Sequence, residues 1–307
     1  MNEALAPADR RAAAHDSIDA LALGDAFGER WFPLFREREQ AVSEIRSRRM
    51  PREKEWRWTD DTAMALAVLR CLEQHGEIDP VALAAAFGRA HAADPGRGYG
   101  AGMHELLPRH VERPEAWRES AGALFDGQGS LGNGAAMRVA PLGAWFSDDL
   151  ERVAAQAELS ARVTHAHPEG VAGAVAVAVA AALAARARLS VAAVAEATPP
   201  GAVRDGLLAA DRLSFATEPW RAADALGSGQ RVRADDTVPF AVWTAARHPD
   251  DLVAALWATA EGLGDVDTTC AITAGIVGAR TGTASVSEAW LKRREALPGW
   301  LTDVTTP

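Results

Sequence analysis

Two short acidic segments, each followed by an apolar helical pattern, lie about 200 residues apart in this chain. They are Trp58-Thr59-Asp60-Asp61-Thr62 and Gly264-Asp265-Val266-Asp267-Thr268. Helix capping and the helix dipole alone favour such residues at a helix start. If the fold brings the segments together, however, four carboxylates form an all-oxygen cluster that needs cations to neutralise it. Oxygen ligands select Mg²⁺, Mn²⁺ or Ca²⁺ rather than Zn²⁺.

Two further segments have residue types suited to ligand binding. Gly127, Gly129 and Gly132 match the pattern G-x-G-x-x-G, but no strand precedes them, so a dinucleotide-binding βαβ unit is rejected. A glycine-rich loop leading into a helix still lets backbone N–H groups approach a phosphate or a sugar; the alternative is a surface loop. His165 and His167 flank a helix start without a nearby cysteine, which is a poor zinc signal but permits polar contact with a ligand.

The elements that must position these residues are helices, and the predicted class is all-α. We predict one compact domain over residues 15–300, preceded by a frayed N-terminal extension over 1–14. Two long irregular stretches, Arg36 to Trp58 and Pro95 to Gly134, are typical of functional or mobile segments. The predicted helices are His15–Gly28, Asp60–Gln74, Pro80–Ala92, Asp148–Val163, Pro168–Arg188, Asp236–Arg247, Pro249–Glu261, Val266–Arg280 and Val286–Leu297. Asp79, Ser147 and Ser285 are the predicted caps.

Composition limits the partners. The net charge of −10 argues against nucleic acid, because phosphate binding needs a basic face. The longest apolar stretch, Val171 to Ala185, is shorter than the roughly 20 residues that span a bilayer, so a buried helix is predicted rather than a membrane segment. Cys71 and Cys270 lie within apolar helical patterns, which favours free thiols in a reducing, cytoplasmic compartment. A monomer is expected.

Read in order, several motifs together resemble the ADP-ribosylglycohydrolase family. The resemblance runs from about Ala14 to Gly282, and any one motif would be weak alone. The motifs are Gly24-Asp25-Ala26-Phe27-Gly28, the two acidic segments, Gly132-Asn133-Gly134-Ala135-Ala136-Met137-Arg138 with Pro141-Leu142-Gly143, Thr164-His165, and Gly275 with Gly278.

The resemblance implies an all-α domain of orthogonally packed helices with two Mg²⁺ or Mn²⁺ ions. The activity it implies is hydrolysis of the ribosyl C1 bond of an ADP-ribosylated protein or small conjugate. The implied metal ligands are Thr59, Asp60, Asp61, Asp265, Asp267 and Thr268, with Asp60 and Asp265 also taken as catalytic. The implied ADP-ribose channel contains Tyr99, Gly100, Gly132, Asn133, Gly134, Ala135 and His165.

One departure from the family pattern concerns the catalytic carboxylate. Many members place an acidic residue eight positions after Gly24, where this chain has Phe32. Glu29, three residues earlier, is the predicted substitute as base or further ligand. The departure leaves two alternatives open: a non-catalytic ADP-ribose-binding or structural homologue, and a metal-dependent hydrolase of another ribosyl compound or of a phosphoester.

Overall fold

The computed structural model describes residues 7–32 and 37–302, and every regular element in that part of the chain is helical, which confirms the all-α prediction. The α-helices are α1 (Pro7–Glu29), α2 (Arg38–Arg46), α3 (Asp60–His75), α4 (Pro80–Ala93), α5 (Ala101–Glu112), α6 (Trp117–Gly127), α7 (Ala140–Trp145), α8 (Leu150–Arg162), α9 (Pro168–Ala185), α10 (Val191–Ala197), α11 (Ala202–Arg212), α12 (Pro219–Leu226), α13 (Ala234–Arg247), α14 (Leu252–Ala260), α15 (Val266–Thr281), α16 (Glu288–Leu291) and α17 (Gly299–Thr302).

Helix α1 begins within the segment expected as an N-terminal extension. Its first described residue is Pro7, and Ala14 is fully buried in the core. Arg10 also forms an ion pair with Asp148, far along the chain. Residues 7–14 therefore belong to the helical body, whereas residues 1–6 of the expected extension lie outside the described residues.

The predicted caps have mixed outcomes. Asp79 caps α4 as predicted, because its Oδ1 accepts hydrogen bonds from the N–H groups of Val81 (2.9 Å) and Ala82 (3.0 Å). Helix α8 is capped by Asp149 rather than by Ser147, since Asp149 Oδ1 accepts from the Arg152 N–H at 3.0 Å. Competing Asp and Ser candidates in one short segment explain this error.

The helix predicted over Val286–Leu297 is wrong, and with it the cap at Ser285. Only Glu288–Leu291 is helical, after which the chain pairs with the segment around Trp56. The Trp56 N–H donates to Arg293 O at 2.6 Å, and the Glu295 N–H donates to Trp56 O at 2.8 Å. Backbone partners from a distant segment replace those of a continued helix, so tertiary context outweighs local propensity here.

Several helices form where the sequence predicted irregular chain. Helix α2 lies in the first predicted irregular stretch, and α5 and α6 lie in the second. The first residue of the first stretch, Arg36, is outside the described residues. Helix α5 buries Met103, Leu106, Leu107 and His110, which follow helical spacing, although Pro108 interrupts the pattern. The second stretch is thus mostly helical, and the first contains a nine-residue helix followed by irregular chain.

Helices α1 and α15 pack against each other along most of their length, and glycines allow the close approach. A Cβ at Gly24 would lie 2.6 Å from Ala274 Cβ, and one at Gly28 would lie 2.5 Å from Asp267 Cα. A Cβ at Gly275 would similarly lie 2.7 Å from Ala140 Cβ, on α7. Such contacts exclude any larger side chain, so Gly24 and Gly28 set the distance between α1 and α15, and Gly275 sets the distance between α15 and α7.

Helix α9 lies in the core beside α7, α8, α13 and α15. It is the one described helix with the length and composition of a membrane span, yet 83% of that span is buried inside the protein. A helix that other helices surround is apolar on all of its faces, and the Ala- and Val-rich sequence of α9 meets this requirement. The predicted buried helix is therefore confirmed, although it ends at Ala185 rather than Arg188.

Candidate active site

The first acidic segment is fixed where the chain enters α3. The Arg97 carbonyl accepts the Asp60 N–H at 2.7 Å, and Arg97 Nη1 donates to Trp58 O at 2.7 Å. The Arg97 guanidinium lies 3.5 Å from the Trp58 ring centroid and pairs with Glu295 at 2.8 Å. These contacts hold Thr59, Asp60 and Asp61 in place at the helix start, where the dipole favours carboxylates.

The second acidic segment is held by a neighbouring glycine-containing loop. The Asp265 N–H donates to Ser228 O at 3.0 Å, and a Cβ at Gly229 would lie 2.5 Å from Asp265 Cβ. Gly229 and Gly264 both have positive φ, at 84° and 71°, which an L side chain rarely adopts. Two tight turns therefore place Asp265 and Asp267 at the start of α15.

The fold brings the two segments face to face, as the sequence predicted. Oxygens of Asp61 and Asp267 lie within 4.8 Å of each other and of an oxygen of Asp25, a residue on α1. The Thr268 hydroxyl is 3.5 Å from Asp61 Oδ2, at the limit of a hydrogen bond. A three-helix junction, rather than a two-helix one, thus forms the acidic cluster.

Asp25 is the component that sequence reasoning missed. Its Oδ2 accepts from the N–H groups of Thr59 (2.8 Å) and Thr62 (3.1 Å) and from the Thr62 hydroxyl (2.5 Å). Its Oδ1 accepts from the Thr59 hydroxyl at 2.9 Å. The sequence did contain a signal for this role, namely a carboxylate between Leu23 and Phe27 in an otherwise apolar helix. A carboxylate in a buried stretch of helix requires polar partners from elsewhere in the fold.

Burial and mutual repulsion raise the pKa values of the clustered carboxyls. Burial, followed by the charge of Asp25, raises the pKa of Asp60 to about 8. The pKa values of Asp61 and Asp267 lie well above the ordinary value, first through burial and then through the charges of Asp25 and Asp265, respectively. Burial also raises the pKa of Asp265, although a hydrogen bond from Asn133 opposes the shift. The cluster therefore needs protons or cations to be stable.

The donor set fits hard divalent cations. Asp61 Oδ1 is buried without a hydrogen-bond partner in the described part of the chain. The Thr59 hydroxyl donates its proton within the cluster and accepts the Asp61 N–H at 3.4 Å, which leaves one lone pair for a cation. In the described part of the chain, the grouped ligand atoms are carboxylate oxygens with threonine hydroxyls beside them, and such oxygen ligands suit Mg²⁺ or Mn²⁺.

A cavity of about 460 Å³ opens from the cluster. Asp60, Asp61, Asp265, Asp267 and Thr268 line one part of it, and Gly98, Gly100, Gly132, Asn133, Gly134 and His165 line another. Phe125 and Val232, which are 57% and 55% exposed, also line it. Both have positive φ, at 53° and 54°, and a β-branched residue with this conformation is a real outlier. The backbone is strained where apolar side chains border the cavity.

Most of the predicted substrate residues line this cavity, whereas Tyr99 and Ala135 lie behind its lining. The Asn133 side chain faces the acidic cluster, because its Nδ2 donates to Asp265 Oδ2 at 2.7 Å and to Thr237 Oγ1 at 3.0 Å. Ala135 is fully buried beneath the loop. Tyr99 is 5% exposed and packs edge-on against His91, with a ring-centroid distance of 4.9 Å. Asn133 therefore connects the glycine-rich loop to the cluster, and Ala135 and Tyr99 support the cavity from behind.

Glu29 lies at the end of α1, outside the described lining of this cavity. Its side chain is 34% exposed and lies 3.7 Å from Arg30 Nη2. Burial raises the pKa of Glu29, and its charge contributes to the raised pKa of Asp267. Phe32 is half-buried and lines a separate cavity of about 270 Å³ that also touches Asp265. The two residues are thus close to the cluster without belonging to it, and the catalytic role of Glu29 stays a prediction.

Fold and site define a helical protein with a buried carboxylate cluster beside a glycine-lined cavity. The sequence matches the ADP-ribosylglycohydrolase family over residues 6–306, and the chain belongs to that family. It is similar to the ADP-ribosylhydrolase ARH3 of Bos taurus (42% identity over 119 residues) and of Homo sapiens (40% over 119 residues). Each match covers 38% of this chain and 32% of the relative, so the similarity spans about a third of those proteins.

A solved structure supports the fold independently. The protein titled "ADP-ribosylglycohydrolase-related protein complex" superimposes with a TM-score of 0.66 over 94% of both chains. The sequence identity is 23%, so this likeness concerns the fold. It confirms the predicted ADP-ribosylglycohydrolase-like arrangement of helices.

Proposed function

We propose that the protein is a divalent-metal-dependent hydrolase that cleaves the ribosyl C1 bond of an ADP-ribosylated substrate. The observation that carries the proposal is the buried carboxylate cluster at one end of a glycine-lined cavity. Family membership and the similarity to ADP-ribosylhydrolases support the substrate class. We also propose that the protein is cytoplasmic and monomeric, and both of these predictions rest on the sequence.

The residues proposed to hold two Mg²⁺ or Mn²⁺ ions are those of the two helix starts, namely Thr59, Asp60, Asp61, Asp265, Asp267 and Thr268. Asp25 would position them, because most of its hydrogen-bonding capacity is taken up by Thr59 and Thr62. When bound, a pair of such ions binds sugar hydroxyls and lowers the pKa of water. The raised carboxyl pKa values predict that ion binding displaces protons.

The cavity offers a separate contact for each part of ADP-ribose. Gly132 and Gly134 line the cavity without side chains of their own, so the loop backbone suits a close approach of the diphosphate. The exposed Phe125 ring and the Val232 side chain provide apolar contacts for the base. The distal ribose then lies toward Asp60 and Asp265. This orientation brings the anomeric carbon to the acidic end of the cavity.

Bond cleavage at C1 develops positive charge on the ribose, which the clustered carboxylates stabilise. The leaving group must also gain a proton and an attacking water must lose one. We propose Glu29 for one of these roles, because its pKa is raised and it lies beside the cluster. Asp60 and Asp265 orient the sugar from the cavity wall, and Asn133 holds Asp265 in position.

Phe32 motivates the second candidate function, a protein that binds ADP-ribose without turnover. This residue replaces the acidic residue of many family members and is packed against the core. The retention of all six proposed ligands favours hydrolysis over binding alone. Turnover of another ribosyl compound or a phosphoester is distinguished by its product, since ribose release and phosphate release differ chemically.

The proposal is tested with ADP-ribosyl-arginine, ADP-ribosyl-serine and O-acetyl-ADP-ribose, each assayed with Mn²⁺ and with EDTA. We expect free ADP-ribose from at least one substrate, with Mn²⁺ only. Asp60→Asn and Asp265→Asn should abolish turnover while retaining helical circular dichroism, and Glu29→Gln should lower kcat more than it raises KM. Asp224→Asn, an exposed change on α12, is the matched control. A fully active Asp265→Asn protein in EDTA contradicts the proposal, and ADP-ribose binding without turnover favours the second candidate.

A further inference from the structure

Arg138 is a fully buried cation without a hydrogen-bonded carboxylate among the described residues. Its guanidinium carbon lies 4.4 Å from the Phe87 ring centroid. Nη1 donates to Gly134 O at 3.2 Å, and Nη2 donates to Ser160 O and to Thr164 Oγ1, each at 2.9 Å. Burying such a charge costs several kcal/mol in general. The contacts it makes connect the glycine-rich loop, the end of α8 and the segment that contains His165.

The proton positions at Thr164 follow from these contacts. Thr164 Oγ1 is 2.7 Å from His165 Nδ1 and accepts a hydrogen bond from Arg138, which can only donate. Thr164 is fully buried, and within the described chain its hydroxyl contacts no other acceptor. Because buried donors are almost always paired, the hydroxyl proton is directed at Nδ1.

A neutral imidazole whose Nδ1 accepts a hydrogen bond must carry its proton on Nε2. Nε2 faces the glycine-rich loop, since it lies 3.4 Å from the position of a Cβ at Gly132 and 3.1 Å from one at Gly134. The ring also lines the 460 Å³ cavity. Burial and then the charge of Arg138 lower the pKa of His165 to about 3, so the ring is neutral at physiological pH.

We propose that Arg138 and Thr164 are positioning residues that lock His165 in its Nε2–H tautomer, so that it donates a hydrogen bond to a phosphate or ribose oxygen in the cavity. The identity of this ligand rests on the proposed function, whereas the tautomer does not. In the opposite tautomer, the Nε2 lone pair would repel an anionic oxygen. The two glycines leave room for this contact, because a side chain at either position would crowd the ring.

The tautomer is measured on the ligand-free, full-length protein labelled with ¹⁵N-histidine. Two-bond ¹⁵N–¹H couplings distinguish the Nε2–H form, and the signals lost in His165→Gln assign this residue among the 8 histidines. We expect the Nε2–H form in the wild type and in Thr164→Ser, which retains the hydroxyl. Thr164→Val, of similar shape, should shift the ring to a mixture or to the Nδ1–H form. Helical circular dichroism checks that each variant is folded.

Calorimetric titration with ADP-ribose and Mn²⁺ supplies the second readout. Thr164→Val should weaken ADP-ribose binding about three- to tenfold, with Thr164→Ser near wild type and Mn²⁺ affinity unchanged in both. An Nδ1–H or charged His165 in the wild type, or a wild-type tautomer in Thr164→Val, would overturn the inference. Failure of the wild type to bind ADP-ribose would instead overturn the proposed function. The NMR measurement of the His165 tautomer would then still show whether Thr164 and Arg138 position the ring.

Discussion

Asp25 and Asp61 are buried in the same cluster but differ in what their oxygens contact. Asp25 accepts two backbone N–H groups and two hydroxyls. Asp61 Oδ2 lies 3.5 Å from the Thr268 hydroxyl and 3.2 Å from the Thr59 hydroxyl, whose single proton is closer to Asp25 Oδ1, and Asp61 Oδ1 has no partner in the described chain. Asp25 therefore supports the local structure, whereas Asp61 is oriented for a ligand.

Replacement of each residue by asparagine should therefore have opposite effects on the metal-free protein. Asp61→Asn removes a carboxyl that must either take up a proton or repel its neighbours, and it opposes no N–H donor, so we expect the melting temperature to rise by about 2–4 °C. Asp25→Asn directs an amide N–H₂ at existing donors and should lower the melting temperature by a similar amount. Both variants should lose Mn²⁺ binding.

The comparison uses two measurements: thermal unfolding in EDTA, and calorimetric titration of the metal-free protein with Mn²⁺. Asp224→Asn removes one exposed charge on α12 and should match the wild type in both experiments. A metal-free Asp61→Asn protein that is less stable than Asp25→Asn would contradict the assignment of the two roles.

At the scale of elements, the packing of α1 on α15 sets the geometry of the cluster. Gly24 precedes Asp25 on α1, and a Cβ there would meet Ala274 Cβ at 2.6 Å and the Cys270 carbonyl still closer. On the same helix, Gly28 lies against the backbone of Asp267. The distance between the Asp25 and Asp267 carboxylates therefore depends on two positions without side chains.

Gly24→Ala should separate α1 from α15. We expect a loss of about 1–3 kcal/mol in the free energy of unfolding, as for other overpacked cores, together with weaker Mn²⁺ binding. The matched control is Gly122→Ala on α6, where a Cβ meets nothing within 4 Å. That change should be neutral or slightly stabilising, because alanine favours the helix. Denaturant unfolding and Mn²⁺ titration test both variants, and equal effects at the two glycines would refute the spacing role of Gly24.

At the scale of the whole molecule, the cluster makes stability depend on pH and on metal. The raised pKa values mean that the folded protein holds more carboxyl protons at neutral pH than the unfolded chain does. The folded state then loses stability as pH rises toward the folded-state pKa, which is about 8 for Asp60. His110 and His165, whose pKa values are lowered to about 4 and 3, have the opposite effect below the ordinary histidine pKa of about 6.5.

The informative window is therefore roughly pH 6.5 to 8, above the histidine transitions. In EDTA, the melting temperature should fall by about 3 °C per pH unit across this window, since one titrating group contributes up to about 1.4 kcal/mol per unit. Saturating Mn²⁺ should remove the decline, because the ion takes the place of the protons. Differential scanning calorimetry with both additives tests this, and a melting temperature in EDTA that rises across the window would contradict the raised pKa values.

Local sequence patterns were enough to predict the fold class and the two acidic segments that meet in the cluster. The acidic segments at Asp60 and Asp265 were recognisable because caps and carboxylates at a helix start obey local rules that require no distant partner. The apolar pattern of α9 likewise predicted a buried helix. These features depend on residues within a few helical turns of one another, so they can be predicted from the sequence alone.

The contacts between distant groups, in contrast, follow from how the helices pack. Asp25 became part of the cluster because glycines bring α1 against α15, and the segment after α16 left the helical state because Trp56 offered it backbone partners. The tautomer of His165 depends on its neighbour Thr164, whose hydroxyl proton is directed at Nδ1 because the distant Arg138 donates to the same oxygen. Such outcomes are set by burial and by competition for hydrogen bonds between residues far apart in the chain, and local propensity carries no information about either.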